Sequence, residues 1–162
     1  MGQLCVAWET EALKWEGIGT RVVINRIGLV LSPDGGALEL IANPIKKRMG
    51  SYFGRGNQTY PWIHIDDLCG MIHHETENDH VEGAFNAAAP NAVTQRELIK
   101  AIATHLGRSV LSFPIPKSVM RLAMGERFNV LVDSFHLSPV KIQQSGFVFA
   151  YPELDSALDH LL

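Results

Sequence analysis

Residues 20–31, Thr-Arg-Val-Val-Ile-Asn-Arg-Ile-Gly-Leu-Val-Leu, restrict the folds open to this chain more than any other stretch. The run is nearly continuous in apolar character rather than alternating, the pattern of a strand covered on both faces, as in a parallel sheet. Upstream, residues 4–16 place Cys5, Trp8, Ala12 and Trp15 at helical spacing, which predicts an amphipathic helix ended by Gly17 and Gly19. Downstream, Ser32-Pro33-Asp34-Gly35-Gly36 is a turn. Helix, buried strand and glycine turn make half of an α/β unit, and such a strand needs parallel neighbours that the chain has few candidates to supply.

Residues 60–68, Tyr-Pro-Trp-Ile-His-Ile-Asp-Asp-Leu, read as a strand that delivers polar side chains to a strand-to-helix corner. Alternation along a strand puts Trp62, His64 and Asp66 on one face. Asp66 is expected to be the N-cap of a helix running to about residue 78, its carboxylate accepting from free backbone N–H groups. Thr94-Gln95-Arg96-Glu97 is a capping box, Leu98, Ile102 and Leu106 follow on one face, and Gly107 supplies the stop.

The remaining segments are read in the same way. Residues 37–48 support a short helix that Pro44 interrupts or ends. Gly54-Arg55-Gly56-Asn57 is a turn, and residues 84–88 form a short strand closed by Pro90-Asn91. A brief strand is expected over 110–113, and a helix from Pro116 to near Gly125; residues 133–137 stay undecided. Ser138-Pro139 opens a short helix that stops at Gly146, after which Phe147, Phe149 and Tyr151 alternate. Leu154, Ala157, Leu158 and Leu161 form the apolar stripe of a last helix.

With 162 residues, 46% hydrophobic content and a net charge of -3, the chain can build one sizeable core and carries no electrostatic footprint for nucleic acid or a membrane surface. Lys46-Lys47-Arg48 is the one basic run, either a solvated loop or an anion contact. Cys5 and Cys69 announce neither a disulfide framework nor a zinc site, and both are expected to be buried in helices. No window approaches the ~20 apolar residues of a membrane span, and no signal-peptide pattern opens the chain, so a cytoplasmic compartment is expected. Among His73, His74, Glu77 and His80 only His73 and Glu77 share i,i+4 spacing, so no metal site is expected. No Ser-His-Asp signature appears.

Trp8-Glu9, residues 21–31 with Asp34-Gly35-Gly36-Ala37, Gly54-x-Gly56-x-Gln58, Trp62-Ile63-His64-Ile65-Asp66-Asp67, Phe85-Asn86-Ala87-x-Ala89-Pro90 and Gly146-Phe147-x-Phe149 form an ordered series over essentially the whole chain. That series resembles the C-terminal half of the atypical, epimerase-like short-chain dehydrogenase/reductase proteins, usually described as nucleoside-diphosphate-sugar epimerases. The resemblance implies an α/β fold: the C-terminal portion of a Rossmann-like parallel sheet in residues 1–36, and a small mixed α/β substrate domain in residues 37–162. It also implies an N-terminal half with a GxxGxxG fingerprint for NADP, whose glycines let the backbone approach the pyrophosphate. These residues contain no such motif, so the chain is expected to be a fragment that binds no cofactor alone. Counting back from Glu9, the lysine slot of the family's Tyr-x-x-x-Lys pair falls near Cys5 and the tyrosine slot near Met1, and neither side chain does that proton transfer. No catalytic residue is therefore assigned.

Arg26, Ile27 and Gly28 lie at the C-terminal end of the sheet strand, the edge where open α/β sheets bind ligands. The resemblance implies that they approach the nicotinamide of the cofactor; alternatively Gly28 permits close packing and Arg26 is paired at the surface. Trp62 and His64 are candidates for a substrate-pocket wall; in the competing reading Asp66 caps the helix and His64 is a structural hydrogen-bonder. Arg55 and Gln58 flank the same strand and are placed to reach a phosphate or sugar, and Asn86 either points into that pocket or supports the turn at Pro90. The implied ligands are a small-molecule substrate, such as a nucleotide sugar, and NADP. The apolar edge of residues 21–31 would also invite a homodimer.

Overall fold

The computed structural model describes residues 2–115 and 136–162. Their elements run in order as helix α1 (Gly2–Leu13), a 3-10 turn (Lys14–Ile18), strands β1 (Val23–Ile27) and β2 (Leu29–Leu31), helix α2 (Ala37–Lys46), and strands β3 (Met49–Phe53), β4 (Thr59–Tyr60) and β5 (Trp62–His64). Helix α3 (Ile65–Glu77), β6 (Gly83–Ala87), β7 (Val93–Thr94), α4 (Gln95–His105), β8 (Leu111–Ile115), α5 (Val140–Gln144) and α6 (Leu154–Leu161) follow. The fold is mixed α/β with parallel strand pairing, as the resemblance implies.

The apolar run of residues 20–31 is two strands with different partners. β1 pairs in parallel with β6, in the register Val23↔Gly83 to Ile27↔Ala87. β2 pairs in parallel with β5, Leu29↔Trp62 to Leu31↔His64. Gly28 is the changeover: its N–H donates to Ala87 O at 3.0 Å and the next N–H, of Leu29, to Pro61 O at 2.7 Å. A Cβ at position 28 would lie 2.6 Å from Pro61 O, so only glycine lets the two backbones approach this closely. Pro61, which has no N–H, separates β4 from β5, so the expected 60–65 strand is also divided.

Both faces of β2 and β5 are covered. Leu31 and Trp62 join a core with Leu38, Ile45, Leu98 and Leu158, drawn from α2, α4 and α6. Their neighbours Val30 and Ile63 point the other way, into a core with Met71, Val81, Phe85 and Ile142. This two-sided burial is what the unbroken apolar pattern predicts.

Several expectations are corrected. No residue of α1 is buried; Trp8 is 67% exposed and Cys5 is exposed, as is Cys69 on α3. Periodicity supplied an apolar stripe for α1, but the described residues provide no surface that buries it. α2 continues through Pro44 to Lys46; the proline leaves the Leu40 carbonyl without its i+4 donor, and the helix ends within the same turn. Strand β3, paired in parallel with β8, was not expected; its Met-Gly-Ser-Tyr-Phe sequence lacks a strong strand pattern. Pro139 rather than Ser138 occupies the N-cap of α5. The helix expected from Pro116 lies outside the described residues.

Candidate functional site

At the β5–α3 corner the N-cap is His64, not Asp66. The His64 backbone is extended, and its Nδ1 accepts the Asp66 N–H at 3.0 Å. Asp66 already lies within the first turn, where its carboxylate favours the helix N-terminus electrostatically while staying exposed. The sequence pattern favoured the aspartate because Asp is a common cap, whereas an imidazole does the same job only when its ring is held in place. Tyr151 holds it, stacked on His64 with ring centroids 4.0 Å apart.

This geometry fixes the tautomer of His64. Nδ1 accepts, so the ring proton sits on Nε2 and is donated to His160 Nδ1 at 3.2 Å. Burial pushes the His64 pKa down; Asp66 raises it, His160 lowers it and Asp67 raises it, with burial prevailing. His64, Asp66 and His160 come within 4.8 Å of one another as potential metal ligands. Their chemistry does not fit an ion, because the cap occupies one lone pair of His64 and a proton occupies its other nitrogen.

Asp67, expected only as part of the motif, is the buried anchor of the corner. Its two carboxylate oxygens accept from the N–H groups of Ala150 at 2.7 Å and Tyr151 at 3.0 Å. Asp67 thus fixes the segment that carries Tyr151 onto His64. Trp62 is fully buried in the core, and its indole N–H donates to Asn91 O at 2.8 Å. Trp62 and His64 therefore stand behind the protein surface rather than on it.

The other sequence-derived residues are scattered. Arg26 is paired with Glu9 through two hydrogen bonds of 2.8 and 2.6 Å, and this pair raises the Arg26 pKa and lowers that of Glu9. Ile27 is exposed and Gly28 serves backbone packing. Arg55 is exposed, and its carbonyl accepts from Arg96, whose guanidinium lies over the Tyr52 ring. Gln58 is buried and donates to Gln95 Oε1 at 2.9 Å. Asn86 donates to Ser138 O at 3.0 Å.

A cavity of about 320 Å³ lies between α2, α4 and the strands β2, β3 and β4. Ile45, Leu98 and Ile99 are its buried apolar surface, Leu29 and Ile41 flank them, and Leu40, Pro44 and Met49 stand at the exposed rim. Ser51, Tyr60 and Gln95 supply its polar groups. Of the candidate site residues read from the sequence, Gln58 reaches this lining through Gln95, and Trp62 shares a core with its Ile45 and Leu98. No motif marked the cavity, because apolar helix faces in sequence cannot be told from ordinary core.

The parallel pairing through a Gly28 changeover, with helices on both faces of β5, defines the chain as a Rossmann-like α/β protein. The chain is 37% identical over 162 residues to an epimerase family protein of Staphylococcus epidermidis, matching 100% of this chain and 54% of that protein. It superposes on the crystal structure of the human epimerase family protein SDR39U1 with NADPH at a TM-score of 0.82 and 34% identity, covering 88% of this chain and 48% of that one. The Corynebacterium glutamicum nucleoside-diphosphate sugar epimerase matches at a TM-score of 0.77 and 27% identity, covering 99% and 30%. Residues 115–161 match a domain of unknown function, DUF1731. These likenesses support an epimerase-like short-chain dehydrogenase/reductase family for the chain. It spans about half the length of the curated relatives it matches.

Proposed function

We propose that this chain supplies the substrate-binding part of an NADP-dependent, epimerase-like oxidoreductase acting on a small hydroxylated or carbonyl compound, a nucleotide sugar being the class its relatives' names suggest. Residues 1–36 would belong to the dinucleotide-binding sheet and residues 37–162 to the substrate domain. The observation that carries this reading is the close superposition on a relative crystallised with NADPH, at 34% identity. Bound NADPH supplies hydride; the protein's part is to position the substrate.

The residues present do not fit the pyrophosphate of that cofactor. No glycine-rich strand-to-helix turn of the fingerprint type occurs among them, and Arg26 at the sheet edge is committed to Glu9. The 162-residue protein is therefore expected not to oxidise NADPH, while a full-length relative does so with its own substrate. NADPH absorbance followed with both proteins tests this, and turnover by the 162-residue protein would overturn it.

A second reading, a noncatalytic ligand-binding or assembly module, is favoured by Cys5 standing where the family's lysine would be. Cofactor binding by the full-length relative without turnover of any carbonyl or hydroxyl compound would select it. In either case a cytoplasmic location fits the sequence, and among the described residues no helix is long and apolar enough to cross a membrane. Exposed Ile27 and the apolar residues of α1 support self-association along the β1 edge, which a strictly monomeric solution mass at high concentration would refute.

A further inference from the structure

We infer that the cavity between α2 and α4 binds the apolar part of an uncharged small molecule, a hydrocarbon or aromatic group bearing one carbonyl or hydroxyl, and not a nucleoside diphosphate. Its assignment to the substrate rests on the oxidoreductase reading; the binding itself does not.

Three observations carry the inference. The volume, about 320 Å³, is that of a small-molecule pocket rather than a packing defect. The described lining contains no charged side chain, whereas a diphosphate brings about two negative charges into a site and is ordinarily met by arginine or lysine. Its polar groups, the hydroxyls of Ser51 and Tyr60 and the amide of Gln95, are all neutral; burial raises the Tyr60 pKa and keeps that phenol protonated. Neutral groups give a charged headgroup no counterion, and the Ser51 hydroxyl matches one uncharged oxygen.

The rim supports the same conclusion. Leu40 is 75% exposed and Met49 50% exposed, side by side with Pro44 at the mouth. Large apolar side chains ringing a concave site extend its apolar surface outward, so a bound hydrocarbon would cover area that otherwise faces water. A protein segment is a poorer occupant, because a cavity of this size holds one or two side chains.

Octan-1-ol is a suitable probe, with uridine diphosphate as the charged competitor, each titrated into the isotopically labelled 162-residue protein and followed by amide NMR without cofactor. Octan-1-ol is expected to shift the amides of Ile41, Ile45 and Leu98 saturably, and uridine diphosphate to leave them in place. Leu40→Glu and, independently, Met49→Glu should each weaken octan-1-ol binding at least about tenfold while the folded spectrum is retained, since each puts a charge at the apolar mouth. Tighter binding of uridine diphosphate at these amides would overturn the inference, as would a folded protein whose cavity amides respond to neither probe. Shifts that depend on protein concentration without ligand would assign the cavity to a second copy of the chain and equally overturn it. Failure of NADPH turnover in the full-length relative would strike the oxidoreductase reading and leave the octan-1-ol result standing.

Discussion

Replacing His64 tests the corner at its centre. His64→Ala removes the N-cap of α3, worth about 1 kcal/mol, and the Nε2–H bond to His160, worth about 0.5–1 kcal/mol. It also deletes a ring with no solvent exposure that is stacked on Tyr151, a loss of about 2 kcal/mol by analogy with other buried large-to-small changes. The total is a destabilisation of about 3–4 kcal/mol. His64→Asn keeps a capping oxygen and should lose about 1 kcal/mol less.

The pH dependence separates this account from simple loss of packing. The charged and titratable groups facing His64 are Asp66, Asp67, His160 and Tyr151, and burial dominates them in lowering its pKa. The unfolded chain therefore takes up a proton near pH 6.5 while the folded chain still resists it. Stability is full above that pH and falls as pH drops from about 6.5 toward the lower folded value, at no more than about 1.4 kcal/mol per pH unit. Urea melts at pH 7.5, 6.5 and 5.5 should thus show the wild type losing stability relative to His64→Asn as acid is added. Curves that stay parallel to within about 0.5 kcal/mol would refute a buried neutral cap, and so would equal stabilities of the Ala and Asn variants.

Three further outcomes follow from single contacts. Gly28→Ala drives a methyl group into the Pro61 carbonyl and should cost about 1–3 kcal/mol in a denaturant melt, with the β1–β6 and β2–β5 amides shifted most in NMR spectra. Asp67→Asn turns an NH2 toward one of two backbone N–H donors and should cost about 2 kcal/mol, with faster hydrogen exchange at Ala150 and Tyr151. Glu75 is buried with one carboxylate oxygen accepting from Asn25 and the other unpartnered, and burial raises its pKa. The folded chain holds that proton longer than the unfolded chain, so the stability it contributes is present below about pH 4.5 and lost as pH rises through the folded value. Glu75→Gln, neutral at every pH, should therefore gain on the wild type between pH 4 and pH 7 in thermal melts; a gap that narrows over that range would contradict the assignment.

What was legible in the sequence was mostly local. The capping box at Thr94 forms as expected, with Thr94 Oγ1 accepting from the Glu97 N–H and the Glu97 carboxylate accepting from the Thr94 N–H. α4 and α6 bury the stripes their periodicity defines. The Trp62–Asp67 motif located the strand-to-helix corner correctly but misassigned the roles within it. Asp66 has the right chemistry for a cap, yet His64 takes the position because Tyr151, from nearly ninety positions along the chain, orients its ring.

By itself the sequence determined the fold class and the family. Unbroken apolar residues at 20–31 require two covered faces, and the spacing of the motifs is a property of the chain alone. Only the tertiary structure decided that this run is shared between two partners at Gly28, that α1 stays uncovered by the described residues, and that Asp67 and Glu75 are buried polar anchors rather than surface charges. It alone also showed the cavity between α2 and α4. The physical reason is common to all four: covalent neighbours set helix and strand propensity, whereas partner choice, burial and empty space depend on which distant segments arrive beside a residue.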